Sequence, residues 1–243
     1  TGAQEKITPE AQKGWHNYNI SPNSRWAIHN YSSFGNAPKF EIVNITSKTV
    51  ARVMEDNAEL QAKLDKLKKG PQEFFRIDIG EGVILDGWMM KPPGFDPNKK
   101  YPVLFYAYGE PAGQTVIDLW DGFAYPWHLM LTQQGYIVVS VDNRGTPAPR
   151  GRDWRKIVYG QLGVIETQDQ AAAARVIGRR PYVDSTRMGI WGWSYGGFMT
   201  AYAMTHSTSF VMGIGGGNVT DWHLYDSIYT ERFMLMPQNN RDG

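Results

Sequence analysis

The sequence predicts an α/β fold in which a doubly wound, parallel sheet follows a short segment of antiparallel strands. Nearly all-apolar runs, typical of strands buried on both faces, alternate with helical segments from residue 102 onward. Short strands separated by turns rich in Pro, Asn and Ser occupy residues 14–50. Glycine contributes 26 of 243 residues, above its usual share of about 7%, which suits a fold with many tight turns.

Composition argues against several classes of protein. The formal net charge of +1 gives no electrostatic reason to expect a nucleic-acid or membrane-surface partner. The absence of Cys excludes disulfides and a Cys nucleophile, and five scattered His show no metal-ligand spacing, so no metal is expected. No apolar stretch approaches the roughly 18 residues of a membrane span. The N-terminus lacks signal-peptide features, which says nothing about export if the chain is a fragment.

The N-terminal region is predicted to hold three short strands and a helix. The strands are WHNYNI, RWAIHNYSS and FEIVNI, and three strands cannot close a domain, so they should be the last blade of a larger body. Asp56 is the predicted N-cap of the helix, which should stop at Gly70. Leu60, Leu64 and Leu67 would share one face of this amphipathic connector.

From Glu73 the pattern becomes that of an α/β domain. EFFRIDI and VILDGWMM are predicted to form a hairpin around Gly80–Gly82. Buried strands are predicted at residues 102–108, 136–142 and 188–193, and a last strand at residues 210–216. Helices are predicted at residues 123–134, 164–180 and 197–206.

The motif Gly192-Trp193-Ser194-Tyr195-Gly196 lies where the third buried strand meets a helix. A Ser on such a sharp, strained turn needs Gly on both sides, since a side chain there would collide with its neighbours. The pentapeptide alone is a weak signal, but the strand before it and the helix after it supply the required context. The motif therefore predicts an α/β-hydrolase with Ser194 as the nucleophile. The alternative is a Gly-rich turn with an incidental Ser.

Two groups are candidates to stabilise an oxyanion at Ser194. The backbone N–H of Tyr195, directly after the nucleophile, is the first. The hydroxyl of Tyr108, at the end of an earlier buried strand, is the second. Position alone leaves open whether Tyr108 is instead an aromatic core residue.

The acid and base of a catalytic triad are harder to find. In this fold they follow the Ser in the order acid, then His. The sharp turn that carries Ser194 is called the elbow below. His206 ends the helix after this elbow, and His223 lies where an acid is expected, so both are predicted to be structural. The candidate acids are Asp221, Asp226, Glu231 and Asp242. One strand rather than two follows the elbow, so we expect the triad to be incomplete and the chain to be inactive alone.

The segment Asp142-Asn143-Arg144-Gly145 follows a buried strand and could contact a ligand, but a salt-bridged turn is the preferred interpretation. The glycines at 213 and 215–217 match neither a dinucleotide nor a Walker phosphate loop and are predicted to allow close packing.

Four segments resemble the dipeptidyl peptidase IV branch of the prolyl oligopeptidase clan. The hexapeptide Gly192–Gly197 resembles the nucleophile elbow of that branch, and Trp193 and Tyr195 narrow the choice among branches. The other three are residues 225–234, residues 108–111 and residues 52–60, the last resembling a passage from propeller to hydrolase.

This resemblance implies a domain organisation. Residues 1–54 would be part of the last blade of a β-propeller, residues 55–71 a connector helix, and residues 72–243 an α/β-hydrolase catalytic domain that is incomplete at its C-terminus. The triad Asp and His would lie beyond Gly243.

The resemblance also implies an activity. Family members release N-terminal dipeptides, preferring Pro or Ala in second place, through a Ser nucleophile and without a cofactor. Tyr108 and the N–H of Tyr195 would then be the oxyanion donors. Acidic propeller residues would hold the substrate amine, a homodimer is possible, and a bacterial periplasmic or secreted location is suggested.

A proline pocket is predicted beside Ser194. Trp222, Tyr225 and Tyr229 stand at i, i+3 and i+7, so one helix would place them on one face. That spacing alone favours a core stripe. The resemblance to family pocket residues at Val219, Trp222, Tyr225 and Tyr229, with Tyr195 beside them, reverses this preference.

Two other classes of function compete with the peptidase. A pseudoenzyme or binding module would have kept the elbow and lost the acid and base. A carboxylesterase would use the same fold, although the propeller-like segment disfavours it.

Overall fold

The computed structural model describes Gly2 and residues 4–241. It confirms the predicted fold class, with one antiparallel sheet and one mixed sheet in an α/β chain. Two compact units are present: Thr1–Lys68 with Ile117–His128, and Lys69–Val116 with Leu129–Gly243. No helix of the described residues has the length and apolarity needed to cross a membrane.

The first unit contains a four-stranded antiparallel sheet in sequence order. Its strands are β1 Trp15–Ile20, β2 Trp26–Ser33, β3 Asn36–Asn44 and β4 Thr49–Glu55. The prediction of three strands was wrong, because β4 gives no alternating signal. Val53 and Met54 are adjacent apolar residues in β4, and every residue of this edge strand is exposed. Four antiparallel strands in sequence order are the arrangement of a propeller blade.

The connector helix is shorter than predicted. It spans α1 Ala58–Asp65, and its N-cap is Asn57, in a left-handed conformation with φ 53°. Asp56, the predicted cap, instead accepts a hydrogen bond from the N–H of Ala58 at 2.9 Å. Leu64 is buried, but Leu60 and Leu67 are 37% and 49% exposed, so the predicted leucine face is wrong at two of its three positions.

The second unit contains a six-stranded sheet in the order β10-β9-β7-β8-β6-β5. The four strands from β10 to β8 run parallel, and β6 joins them antiparallel as part of the predicted hairpin with β5. The strands are β5 Gln72–Asp78, β6 Ile84–Met90, β7 Tyr101–Tyr106, β8 Ile137–Asp142, β9 Val183–Trp193 and β10 Met212–Gly216.

The remaining helices largely follow the sequence pattern. They are α2 Ala124–Gln133, α3 Arg152–Lys156, α4 Val164–Gly178, α5 Tyr195–His206 and α6 Ser227–Met234, with a 3₁₀ turn at Trp222–Leu224. The short helix α3 was not predicted, because its charged residues lie in a polar stretch and none of them is buried.

The core of the second unit is centred on its parallel strands. Every residue of β8 is buried, and Phe105 of β7 and Ile190 of β9 are fully enclosed beside it. Burying an aliphatic or aromatic side chain of this size contributes roughly 1.5–3 kcal/mol. The carboxyl ends of parallel strands share one edge, which is where ligands bind in open α/β sheets. Tyr108, Asn143 and Ser194 all follow strands at this edge.

Candidate active site

Ser194 occupies a strained turn between β9 and α5. Its backbone angles are φ 58° and ψ −117°, outside the conformations that a non-glycine residue usually adopts. The N–H of Ser194 donates to the carbonyl of Gly216 at 2.8 Å, and its carbonyl accepts from the N–H of Phe198 at 3.0 Å. Strain of this kind costs about 1–3 kcal/mol and persists where the surroundings enforce it. These two bonds hold the turn.

Two glycines let the elbow pack against the end of β7. A Cβ at Gly192 would lie 2.3 Å from the carbonyl oxygen of Ala107, and a Cβ at Gly196 would lie 2.2 Å from the same atom. No real Cβ approaches a backbone oxygen so closely, so both positions require glycine. The collision predicted for a side chain at either flanking position would therefore be with the backbone of Ala107.

Both candidate oxyanion donors lie at Ser194. Tyr195 is the first residue of α5, so its N–H has no acceptor within the helix and lies at the positive end of the helix dipole. Tyr108 lies two residues past β7, and its side chain lies beside that of Ser194. Burial, aided by the negative charge of Glu110, raises the pKa of Tyr108. Tyr108 is therefore a neutral phenol that can donate.

The side chain of Tyr195 lies in the interior and reaches α4. It is 2% exposed, and its hydroxyl donates to Glu166 Oε1 at 2.7 Å. Burial raises the pKa of Tyr195 well above its ordinary value, so the hydroxyl remains a donor. Tyr195 is one of the predicted substrate-binding residues. Its backbone lies at Ser194, whereas its side chain holds the elbow to Glu166 of α4.

Glu166, which the sequence analysis did not single out, is a buried carboxylate beside the elbow. It lies in the first turn of α4, and its Oε2 accepts the N–H of Gly163 at 3.0 Å. Burial raises the pKa of Glu166 to about 7. A Glu three residues after the helix N-cap is the acidic half of a capping box, and that signal could have identified this residue.

The predicted aromatic residues form a cluster, but not on one helix. Ring centroids of Trp222 and Tyr225 are 5.9 Å apart, those of Trp222 and Tyr229 are 6.0 Å apart, and those of Tyr225 and Tyr229 are 5.5 Å apart. The continuous helix was wrong because Asp226 starts a new one. Its carboxylate accepts the N–H of Tyr229 at 2.9 Å, and Tyr225 before it is extended. Asx capping of this kind competes with helix propagation.

The aromatic cluster extends toward the elbow. The ring of Trp222 lies 5.8 Å from that of Tyr195, which in turn lies 6.5 Å from that of Tyr108. Val219, the remaining predicted pocket residue, is half-buried in the segment between β10 and the 3₁₀ turn. These ring contacts connect the aromatic cluster with Tyr108 through Tyr195, and aromatic clusters of this kind can bind small, flat, apolar groups.

Glu110 is a second carboxylate that the sequence analysis left without a role. It follows Tyr108 by two residues, is half-buried, and accepts the hydroxyl of Tyr229 at 2.8 Å. Burial, together with Glu110, raises the pKa of Tyr229 above its ordinary value. This bond ties the aromatic cluster to the loop that carries Tyr108.

The turn Asp142–Gly145 is salt-bridged, as the sequence favoured. Arg144 Nη2 lies 2.7 Å from Asp169 Oδ1 of α4, and Asp142 accepts the N–H of Thr115 at 2.9 Å. The glycine at 216 packs closely, since a Cβ there would lie 2.3 Å from the ring of Trp193.

The histidines after Ser194 have structural contacts. His206 stacks on Tyr202 with centroids 3.9 Å apart, at the opposite end of a 12-residue helix, roughly 18 Å from the elbow. His223 Nδ1 is 2.9 Å from Asp221.

Within the described residues, three of the four candidate acids have partners other than Ser194. Asp226 caps α6, Glu231 is exposed on that helix, and Asp221 binds His223. Asp242 lies outside the described residues. Within the described part of the chain, no three His, Asp or Glu side chains are grouped to hold a metal ion.

Comparisons with known proteins agree with this geometry. Residues 123–243 match the model of the prolyl oligopeptidase family. The chain is 40% identical over 246 residues to dipeptidyl-aminopeptidase B of Aspergillus niger, covering 98% of this chain and 26% of that protein.

Two solved structures share the fold. Dipeptidyl peptidase 4 of Porphyromonas gingivalis superposes with a TM-score of 0.93 at 40% identity, over 100% of this chain and 34% of that chain. A Bacteroides ovatus protein assigned as a dipeptidyl aminopeptidase IV gives a TM-score of 0.83 at 31% identity, over 98% and 34%.

The chain thus spans about a quarter of its Aspergillus relative and about a third of the solved chains. The family match covers the elbow, α5, β10 and the aromatic cluster, and the relatives extend the likeness across the rest of the chain. On these grounds the chain belongs to the prolyl oligopeptidase family, in its dipeptidyl peptidase IV-like branch.

Proposed function

We propose that this chain supplies the nucleophile, the oxyanion hole and the proline pocket of a serine exopeptidase that releases N-terminal dipeptides with Pro or Ala in second place. The observation that carries the proposal is the strained Ser194, which lies beside Tyr108 and is followed at once by the free N-terminal N–H of α5. Dipeptidyl peptidases among the relatives support the substrate class.

The reaction is acyl transfer. Ser194 Oγ forms a bond to the scissile carbonyl carbon, and the carbonyl electrons move onto oxygen as its C=O bond becomes single. The Tyr108 hydroxyl and the Tyr195 N–H donate to that oxyanion. A histidine base, which in this fold follows the Ser in chain order, takes the Ser194 proton and passes it to the leaving amine as the C–N bond breaks. Water then hydrolyses the acyl-enzyme.

The aromatic cluster is proposed to select the second residue of the substrate. Trp222, Tyr225 and Tyr229 would contact the flat five-membered ring of a substrate proline, with Val219 and the Tyr195 backbone beside them. Rings held edge-to-face leave little room for a long or branched side chain. Proline and alanine fit such a box.

The domain organisation supports an exopeptidase rather than an esterase. We propose that residues 1–54 are part of a propeller blade, residues 55–71 the connector and residues 72–243 part of the catalytic domain. The four-stranded sheet β1–β4 has a blade's topology, although β4 reaches Glu55. A propeller would restrict access to short peptide N-termini. Peptides are the proposed partners, homodimerisation is a further possibility to test, and no cofactor is needed for the proposed chemistry.

The test uses the complete gene product and two kinds of reagent. A fluorophosphonate probe should label wild-type protein but not Ser194→Ala, and Xaa-Pro chromogenic dipeptides should be cleaved much faster than Xaa-Leu. Labelling that persists in Ser194→Ala would refute the nucleophile assignment. Labelling without peptide cleavage, but with cleavage of simple esters, would favour an esterase. Absence of labelling would favour a pseudoenzyme.

A further inference from the structure

One helix reaches both oxyanion donors. Glu166 and Gln170 lie four residues apart on α4, so their side chains share one face of the helix. Both are fully buried, with 0% exposure. Glu166 binds a residue of the elbow, and Gln170 binds a residue of the loop after β8.

The first arm runs from Glu166 to the elbow. Glu166 Oε1 accepts the hydroxyl of Tyr195 at 2.7 Å, while its Oε2 accepts the N–H of Gly163 at the start of α4. The carboxylate is therefore fixed at both oxygens. Since the backbone of Tyr195 carries the oxyanion N–H, anchoring its side chain restricts how that N–H can turn.

The second arm runs from Gln170 to the loop of Tyr108. The Gln170 amide nitrogen donates to Asn143 Oδ1 at 3.2 Å and to the carbonyl of Val141 at 2.7 Å. Asn143 Nδ2 in turn donates to the carbonyl of Gly109, the neighbour of Tyr108, at 3.0 Å. Gly109 has φ +81°, and a Cβ there would lie 2.8 Å from Asn143 Oδ1, so the loop is held close.

We propose that Glu166 and Gln170 are positioning residues that hold the two oxyanion donors, through Tyr195 and through Asn143 with Gly109 respectively. This inference rests on the proposed function of Ser194. Neither residue touches substrate, so each acts on the transition state through the donor that it anchors. A displacement of about 1 Å at a reacting group can cost roughly 10²-fold in rate.

The principal variants are Glu166→Leu and Gln170→Leu in the complete gene product. We expect each to lower kcat roughly 10- to 100-fold while KM changes less than about twofold, because an oxyanion donor acts mainly in the transition state. Thr167→Val is the matched control. Thr167 is buried on the same helix, and its hydroxyl has no hydrogen-bond partner among the residues that the structure describes, so kcat should be retained.

Double variants distinguish the contact network of Glu166 from that of Gln170, because each Leu variant is combined with Tyr195→Phe and with Tyr108→Phe. Glu166→Leu should lose most of its effect on kcat in a Tyr195→Phe background and keep it in Tyr108→Phe. Gln170→Leu should lose most of its effect in Tyr108→Phe and keep it in Tyr195→Phe. General damage to the fold would not produce this crossed pattern, since it would lower kcat equally in both backgrounds.

If the Leu variants do not fold, two milder variants test the same proposal. Tyr195→Phe removes one hydroxyl, and Glu166→Gln keeps an acceptor for that hydroxyl, so kcat should fall more in Tyr195→Phe than in Glu166→Gln. Wild-type kcat in Tyr195→Phe, or additive effects in all the double variants, would overturn the proposal. Fluorophosphonate labelling of wild-type Ser194 keeps the two claims apart: absent labelling refutes the proposed function, whereas normal labelling with unaffected variants refutes the positioning role alone.

Discussion

The two sides of the candidate active site are held by the same kind of bond in different surroundings. On the elbow side Tyr195 donates to Glu166 at 2.7 Å, and on the side of the aromatic cluster Tyr229 donates to Glu110 at 2.8 Å. Glu166 is completely buried, whereas Glu110 is half-buried. A buried polar group left without its partner loses its full solvation, so the elbow side should tolerate change less well.

The two sides also differ in what they are built from. The elbow depends on backbone approach, since Gly192 and Gly196 both face the carbonyl of Ala107 with no room for a side chain. The aromatic cluster depends on side chains, and its rings meet despite a helix break at Tyr225. Backbone packing fixes positions within tenths of an ångström, whereas ring contacts can adjust.

The largest effect is expected for Gly196→Ala. The added Cβ would lie 2.2 Å from a backbone oxygen, so the elbow must move. We expect kcat/KM to fall by roughly 10⁴, because displacement of the nucleophile and loss of an oxyanion donor each cost roughly 10² or more. Stability should fall by about 1–3 kcal/mol through overpacking.

The control for that variant is Gly178→Ala at the end of α4. Its Cβ would meet nothing nearer than 3.5 Å, so activity should be retained. Kinetics on Xaa-Pro chromogenic dipeptides and thermal unfolding measure both effects. An active Gly196→Ala protein would show that the elbow is not rigid.

The next effect is that of Tyr108→Phe. Tyr195 and Tyr229 donate their hydroxyls to carboxylates, whereas Tyr108 lies beside Ser194. We expect kcat to fall roughly 10²–10³-fold with a similar KM, since removing one oxyanion donor has an effect of this size. Tyr202→Phe, on α5 beside His206, is the matched control. The measurement is steady-state kinetics. A wild-type kcat in Tyr108→Phe would mean that Tyr108 is an aromatic core residue and not an oxyanion donor.

The sequence predicts the backbone-built part of the site better than the side-chain-built part. The strand, the elbow and α5 follow from local rules about glycine and buried apolar runs, and the structure has them where expected. Glu166 and Glu110 were missed because a single Glu in a helix or loop usually faces solvent. Their tyrosine partners are 29 and 119 residues away in sequence, so only the fold brings them together.

The secondary structure shows the same limit. Buried strands such as β8 were predicted nearly to the residue, whereas the exposed edge strand β4 and the break at Tyr225 were not. β4 buries no residue in this structure, so its sequence shows no strand periodicity. The break depends on the side chain of Asp226, which forms a cap where helical spacing suggested continuity.

A third prediction concerns pH. The pKa of Glu166 rises from 4.5 to about 7 on burial, so the folded state binds a proton more tightly than the unfolded state. The resulting stabilisation is complete below about pH 4.5 and is lost as pH rises through about 7. Its size is roughly 3–4 kcal/mol, since each pKa unit corresponds to about 1.4 kcal/mol.

The measurement is urea unfolding of wild type and Glu166→Gln at pH 5 and pH 8. The wild type should lose stability relative to the variant at pH 8, where the buried carboxylate is charged. The hydroxyl of Tyr195, whose pKa burial raises well above its ordinary value, stays protonated throughout. A constant difference between the two proteins at both pH values would contradict the prediction.

The smallest effect is expected on the side of the aromatic cluster. Tyr229→Phe removes the hydroxyl that Glu110 accepts but leaves the ring in its contacts with Trp222 and Tyr225. A hydrogen bond of this kind contributes about 0.5–1.5 kcal/mol, so KM for Xaa-Pro substrates should rise roughly two- to tenfold with kcat nearly unchanged. Glu110→Gln should change KM less, because its amide oxygen can still accept the hydroxyl of Tyr229.

The matched variant on the elbow side is Tyr195→Phe. It removes the hydroxyl that the completely buried Glu166 accepts, and it should lower kcat instead of raising KM. The measurement is steady-state kinetics of the three variants on one substrate. A loss of kcat in Tyr229→Phe as large as that in Tyr195→Phe would mean that the two sides are equally rigid. Burial of the carboxylate would then not explain a difference between them.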